Sequence, residues 1–227
     1  MPQPDLVIFD CDGVLVDSEI IAARIDSELI TKAGFPIEPE EVAERFAGLT
    51  FPDILMEIER VSSVPLQASL IEEERKLLDR RLEREVRAID GAREAVARIA
   101  APRCICSNST PERLEMMLTR TGLKPLFGDR VYSSRAIPGG KPKPAPDVFL
   151  FAARAMEADP EKTFVIEDSV HGTHGAKAAG MRVIGFTGAS HTWPGHADSL
   201  TEAGAETVIR RLADLEPVLA ALSEWTE

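Results

Sequence analysis

The 227-residue sequence has no apolar run long enough to span a bilayer, and it does not open on the basic-then-apolar pattern of a secretory leader. A cytoplasmic protein with no membrane partner is the expectation. Positive charge is scarce: 26 Lys and Arg stand against 38 Asp and Glu, a formal net charge of -12. That balance argues against nucleic acid as a partner, and an anionic substrate would have to be drawn in by a local lysine or metal ion. Cysteine is rare and odd in number, at three, which suits a reducing compartment better than a disulfide framework. Internal repeats and low-complexity segments are missing too. What remains is an ordinary globular composition, 44% hydrophobic and 28% charged, enough for one large domain or for a core with an insertion.

The first strong pattern is Leu6-Val7-Ile8-Phe9-Asp10-Cys11-Asp12-Gly13-Val14-Leu15-Val16-Asp17-Ser18. An apolar run ending in an acid reads as a strand buried on both faces that delivers Asp10 to the rim of a parallel sheet, where open α/β proteins bind ligands. Asp12 follows two residues on, and Gly13 lets the backbone turn away sharply. Taken alone, the stretch also fits a plain turn or part of a calcium loop. Two acids this close repel, and become useful when a cation keeps one ionised while the other holds a proton to donate.

Beyond Ser18 the pattern turns helical, with helices expected over Glu19 to Ala33, Pro39 to Ala47, Phe51 to Arg60 and Pro65 to Ala88. Asp17 or Ser18 and then Thr50 stand as helix caps, with Pro52 in a first turn. The last helix carries one apolar stripe, Leu66, Leu70, Leu77, Leu78, Leu82 and Val86. From Ala92 onward helices and strands alternate. Strands are expected over Arg103 to Ser107, Arg130 to Ser133, Thr163 to Glu167, Arg182 to Phe186 and Glu206 to Ile209. Helices are expected over Ala92 to Ala100, Thr110 to Thr121, Pro146 to Glu157, Val170 to Ala179 and Leu212 to Leu222. Such alternation builds a parallel sheet with helices on both faces. The division is therefore an α/β core from residues 1–17 and 91–227, with an all-helical insert at 18–90. Cys104 and Cys106, two apart in a strand, share one face and read as small buried apolar groups rather than a metal or redox pair, while Cys11 points away from its acids.

Three later stretches carry chemistry. Ser107-Asn108-Ser109 lies between a buried strand and a helix start, which outlines an anion site and equally an ordinary cap. Gly139-Gly140-Lys141-Pro142-Lys143-Pro144-Ala145-Pro146-Asp147 is a proline-stiffened loop in which a lysine can offset phosphate or carboxylate charge. Phe164-Val165-Ile166-Glu167-Asp168-Ser169 repeats the first strand's logic, so Glu167 and Asp168 join Asp10 and Asp12 in one crevice. Carboxylates gathered this way call for a hard divalent cation such as Mg²⁺. His171 and His174, in the small-residue run that follows, lack a third ligand at zinc spacing, and His191 and His196 read as loop residues.

Taken in order, these stretches resemble the four motifs of the haloacid dehalogenase-like superfamily, in the branch whose small helical cap enters directly after the first motif. The resemblance spans essentially the whole chain. It implies an α/β fold, a Rossmann-like core with a parallel sheet and an inserted all-helical cap. The chain's crossings near Asp17 to Glu19 and Ala88 to Gly91 would then form a hinge, unless the cap only packs. It implies Asp10 as nucleophile, Asp12 as acid and base, Ser107 with Asn108 as phosphate-binding groups, and Lys143 rather than Lys141 as the third-motif lysine. Mg²⁺ would be held by the Asp10 carboxylate, the Asp12 backbone carbonyl, Asp168, and Glu167 directly or through water.

The activity so implied is a Mg²⁺-dependent phosphatase acting through an aspartyl phosphate on a small phosphorylated sugar or sugar acid, with 6-phosphogluconate the leading candidate. A monomer or small homo-oligomer is expected. A β-phosphoglucomutase-type mutase is the rival within the family. Those mutases carry a histidine shortly after the position matching Asp17 and an arginine in the cap, where this chain has Ala22 and, in Ala47-Gly48-Leu49-Thr50-Phe51, Phe51. A dehalogenase of the founding type lacks the second aspartate and the metal acids. A non-enzymatic receiver-like phosphorylatable module would need neither Asp12 nor a helical insert.

Overall fold

No side chain of Leu6–Phe9 (β1) reaches water, because the strand is sandwiched between helices on both sides of its sheet. The computed structural model describes residues 3–46, 48–62 and 68–224. After β1 come α1 (Glu19–Lys32), α2 (Pro39–Arg45), α3 (Phe51–Val61) and α4 (Ser69–Glu85). The alternating part follows as α5 (Ala92–Arg98), β2 (Arg103–Ser107), α6 (Pro111–Arg120), α7 (Lys124–Phe127), β3 (Val131–Ser133) and α8 (Asp147–Ala155). It closes with β4 (Thr163–Glu167), α9 (Val170–Ala178), β5 (Arg182–Phe186), α10 (His196–Glu202), β6 (Thr207–Ile209) and α11 (Leu215–Glu224).

The six strands form one sheet in the order β3-β2-β1-β4-β5-β6, every pair parallel. The chain runs outward from β1 to β3, then crosses back to β4 on the other side of β1. Crevices at such a reversal open beyond the carboxyl ends of the strands, which places β1, β2 and β4 around one site. Alternate residues serve opposite layers. Val7, Phe9, Ile105, Ile166 and Ile184 pack on one face, and Leu6, Ile8, Cys104, Cys106 and Val165 pack on the other against Phe149 and Ala152 of α8. All three cysteines are buried and free, and Cys104 and Cys106 share the expected face.

The helices α1 to α4 hold together through Ile25, Leu29, Ile54, Ile58, Leu78 and Leu82, continuous with the first of these apolar layers. Each such side chain contributes about 1.5–3 kcal/mol when fully buried. Two chain crossings tie this helical layer to the sheet. Val16 bridges Ala88 antiparallel, the Asp17 N–H donates to the Arg87 carbonyl at 3.0 Å, and the Ile89 N–H donates to the Leu15 carbonyl at 2.9 Å.

Several boundaries differ from the sequence reading. The expected helix from Pro65 to Ala88 ends at Glu85, because residues 86–89 extend to pair with β1's exit, and its start, with Leu66, lies outside the described residues, as does Ala47. The last helix begins at Leu215 after a 3₁₀ turn at Leu212–Asp214. Thr50 stands at the N-terminus of α3, but its hydroxyl donates to Asp53 instead of capping the backbone. The short helix α7 falls where the sequence reading places no element, and α10 begins at His196, expected in a loop. Among the described residues, no helix is long and apolar enough to cross a membrane.

Candidate active site

Phe9 pairs with Ile105 on one side and Ile166 on the other, so the next residue emerges at the rim between two strand ends. Asp10 is that residue, its N–H bonded to the Ile166 carbonyl at 3.0 Å and its side chain buried. The turn that follows crosses the neighbouring acids so closely that a Cβ on Gly13, at φ +74°, would lie 1.8 Å from Asp168 Oδ2. Only glycine meets both demands. Asp12 is turned aside by hydroxyls: Oδ1 accepts from Ser18 at 2.8 Å, and Oδ2 accepts from Ser107 at 3.0 Å and Ser109 at 2.9 Å. Ser18, expected as a helix cap, thus serves Asp12 and makes no side-chain bond to its helix.

Lys143 reaches the rim from the proline-rich loop. Its Nζ donates to Asp10 Oδ1 at 2.7 Å and to Glu167 Oε1 at 2.5 Å, and its side chain is 4% exposed. Asn108 fixes that loop, accepting from the Lys143 N–H at 2.9 Å and donating to the Lys143 carbonyl at 3.3 Å. Lys141, by contrast, is exposed and does not line the cavity. Glu167 ends β4 fully buried, and its Oε2 accepts from the Ser169 N–H and hydroxyl at 3.1 and 3.0 Å. Ser169 also caps α9 through the Gly172 N–H. A Cβ on Gly172 would meet Glu167 Oε1 at 1.9 Å, so a glycine in the first turn leaves Glu167 its room.

Asp168 completes the cluster, and here sequence reasoning missed two partners. His191 Nε2 lies 3.0 Å from Asp168 Oδ2, and His196 Nε2 is 2.6 Å from the Asp168 carbonyl, with Trp193 stacked on the His196 ring. Both histidines are buried, and His196 opens α10. Burial lowers the pKa of His191, and holds that of His196 down to about 4, so both rings are neutral near pH 7. His196 Nε2 therefore donates to the carbonyl. His171 lines the cavity from α9, whereas His174 is exposed on the same helix.

Burial raises the pKa values of Asp10 and Asp168 well above the usual carboxylate range, reinforced by Glu167, while Lys143 works against the rise. Burial acts to lower the Lys143 pKa, but Asp10 and Glu167 outweigh it and hold the ammonium charged. One lysine does not balance three buried acids. Oxygens of Asp10, Glu167 and Asp168 all lie within 4.8 Å of one another, and a hard divalent cation fits such a donor set. The Asp12 carboxylate stands outside this group. A cavity of about 460 Å³ opens between this rim and the helices α1 to α4, lined on the helical side by residues such as Glu19, Ala22, Phe46 and Phe51.

The family model for haloacid dehalogenase-like hydrolases matches residues 4–180. The chain belongs to this family. Within it, the 6-phosphogluconate phosphatase of Escherichia coli K12 is 32% identical over 195 residues, 86% of this chain and 87% of that protein. A conserved haloacid dehalogenase-like protein from Agrobacterium tumefaciens is 59% identical with a TM-score of 0.94, over 96% of this chain and 99% of the other. A haloacid dehalogenase family hydrolase from Deinococcus radiodurans, solved with bound phosphate and sodium, is 32% identical with a TM-score of 0.83, over 100% of this chain and 99% of its own.

Proposed function

We propose that this hydrolase is a Mg²⁺-dependent phosphatase of small phosphorylated metabolites, sugar phosphates foremost, that works through an aspartyl phosphate on Asp10. The observation that carries the reading is the pair at the β1 rim: Asp10 held by Lys143 in the crevice, and Asp12 turned aside onto serine hydroxyls. Two carboxylates in such different surroundings suit two roles. Asp10 attacks phosphorus as the bond to the leaving oxygen breaks, and Asp12 gives that oxygen its proton. Asp12 then takes a proton from water, whose oxygen attacks the aspartyl phosphate, releasing phosphate and restoring Asp10. Lys143, Ser107 and the turn at Asn108 hold the phosphoryl oxygens. Asp10, Asp168 and the Asp12 carbonyl, with Glu167 directly or through water, would hold Mg²⁺, which when bound would supply positive charge against the phosphoryl oxygens.

Residues 18–90 act in this reading as a cap over the crevice, hinged where residues 16–17 meet residues 87–89. Ala22 and Phe51 line the cavity and supply neither the base nor the cation that a phosphosugar mutase requires, which favours hydrolysis. The D. radiodurans relative was solved with bound phosphate and sodium, which supports a phosphate-bearing substrate for this chain.

Phosphate release from p-nitrophenyl phosphate tests the reading. Chelation with EDTA should abolish turnover and Mg²⁺ should restore it; full activity in metal-free protein would overturn the metal's role. The division of labour has its own test. Asp12→Ala should retain turnover on p-nitrophenyl phosphate, whose leaving group needs no proton, while turnover of a sugar phosphate falls by about 10²–10⁴-fold. Equal losses on the two substrates would contradict the assignment.

A further inference from the structure

The helical wall of the cavity carries acid where a pocket for an anionic substrate has no evident use for it. Glu19, Ala22, Ala23 and Asp26 lie on one stripe of α1, and all four line the cavity. Seven residues of helix span about 10 Å, so Glu19 stands near the catalytic rim and Asp26 at the remote end. Asp26 is 6% exposed, and among the described residues its Oδ1 has no hydrogen-bond partner. Glu74 lines the same cavity from α4, half-buried.

Among the described residues no cation pairs with Asp26. The cations that line the cavity are engaged elsewhere: Arg75 with Glu72 at 2.9 Å, Arg113 with Asp79 at 2.7 Å, Arg135 with the Asn108 carbonyl at 2.8 Å, and Lys143 at the rim. Burial, then Glu74 and Glu19, raises the Asp26 pKa, and no neighbouring charge opposes them. Around it the wall is apolar, from Val42, Phe46, Ile54 and Leu78. A buried carboxyl with an unpaired oxygen destabilises the fold, and an alanine or leucine would pack here as its neighbours do. A ligand group that pairs with it accounts for its presence.

We propose that the remote end of the cavity receives an ammonium group, so that the physiological substrate is a phosphomonoester whose leaving group carries a protonated amine between Asp26 and Glu74. The proposal rests on the phosphatase reading above and names the substrate class for that site. A carboxylate in this place, as in 6-phosphogluconate, would meet like charge. A polyol would bring several hydroxyls against a wall with few partners for them. One compact cation between two acids in apolar surroundings satisfies both sides.

Matched ω-amino-, ω-hydroxy- and ω-carboxyalkyl phosphates of equal chain length, together with glucosamine 6-phosphate against glucose 6-phosphate, test this with the full chain and Mg²⁺. The amine should exceed its hydroxyl partner in kcat/KM by on the order of tenfold to a hundredfold, with the carboxylate last. Asp26→Asn should bring the amine-to-hydroxyl ratio toward one, and Glu74→Gln, on a less buried position, should do the same if the first variant fails to fold. A wild-type enzyme that treats amine and hydroxyl alike, or a ratio unchanged by both substitutions, would overturn the proposal. Lack of any phosphate release from p-nitrophenyl phosphate would instead overturn the phosphatase reading, and this proposal with it.

Discussion

Asp10→Asn is expected to leave no phosphoenzyme and to lower phosphate release by on the order of 10⁴–10⁶-fold, since the attacking oxygen is gone and nothing nearby replaces it. The substitution keeps the size and one carbonyl oxygen of the side chain, so Lys143 retains an acceptor at the rim. Stability should move the other way. Burial, with Glu167 and Asp168 beside it, already disfavours charge on Asp10, and Lys143 only partly offsets this. A neutral amide relieves the repulsion, so the metal-free variant should melt no lower than the metal-free wild type. Mass spectrometry of the quenched enzyme, turnover on p-nitrophenyl phosphate and a thermal melt in EDTA make the three measurements. Turnover within tenfold of wild type would remove Asp10 from the nucleophile's role, and a collapsed melt would reduce the lost activity to lost fold.

The reach of the sequence is visible in the same residues. Leu6 to Phe9 and Phe164 to Ile166 are apolar throughout because parallel strands are buried on both faces, so the acids that end the runs had to emerge at the rim. The parallel pairing of Phe9 with Ile166 then sets Asp10 beside Glu167, a meeting that the pattern implied without fixing its register. The cysteine pair was legible for the same reason, from alternation along β2. His191 and His196 were not. Neither lies near a strand end, the stretch Trp193-Pro194-Gly195 reads as turn, and α10 has one buried apolar residue, Leu200, to announce it. Their link to Asp168 depends on how a loop folds back across the sheet, which local pattern does not encode. The Asn108 side chain bonds the backbone of Lys143 and accepts from the Ser134 hydroxyl, tertiary contacts that local pattern does not announce. The end of α4 was hidden likewise, because the pairing of Ala88 with Val16 that straightens the chain is tertiary.

Lys143→Met should lower both stability and rate. The lysine is the side-chain cation shared by Asp10 and Glu167, and Glu167 is fully buried. Methionine retains much of the apolar stem over the Phe149 ring, 5.0 Å from Nζ, so the loss isolates the charge from the packing. Removing one partner of a buried ion pair costs about 3–5 kcal/mol, which for a chain of this size lowers the melting temperature by on the order of 10 °C. Turnover should fall about 10²–10³-fold or more, since a preorganised charge at the phosphoryl oxygens is lost with it. The double variant Lys143→Met/Glu167→Gln separates the two effects. Neutralising Glu167 removes the charge that the lysine left stranded, so part of the melting temperature should return while turnover stays low. A double variant no more stable than Lys143→Met would show that the lysine stabilises by packing, and recovered turnover would show that its charge has no part in the chemistry.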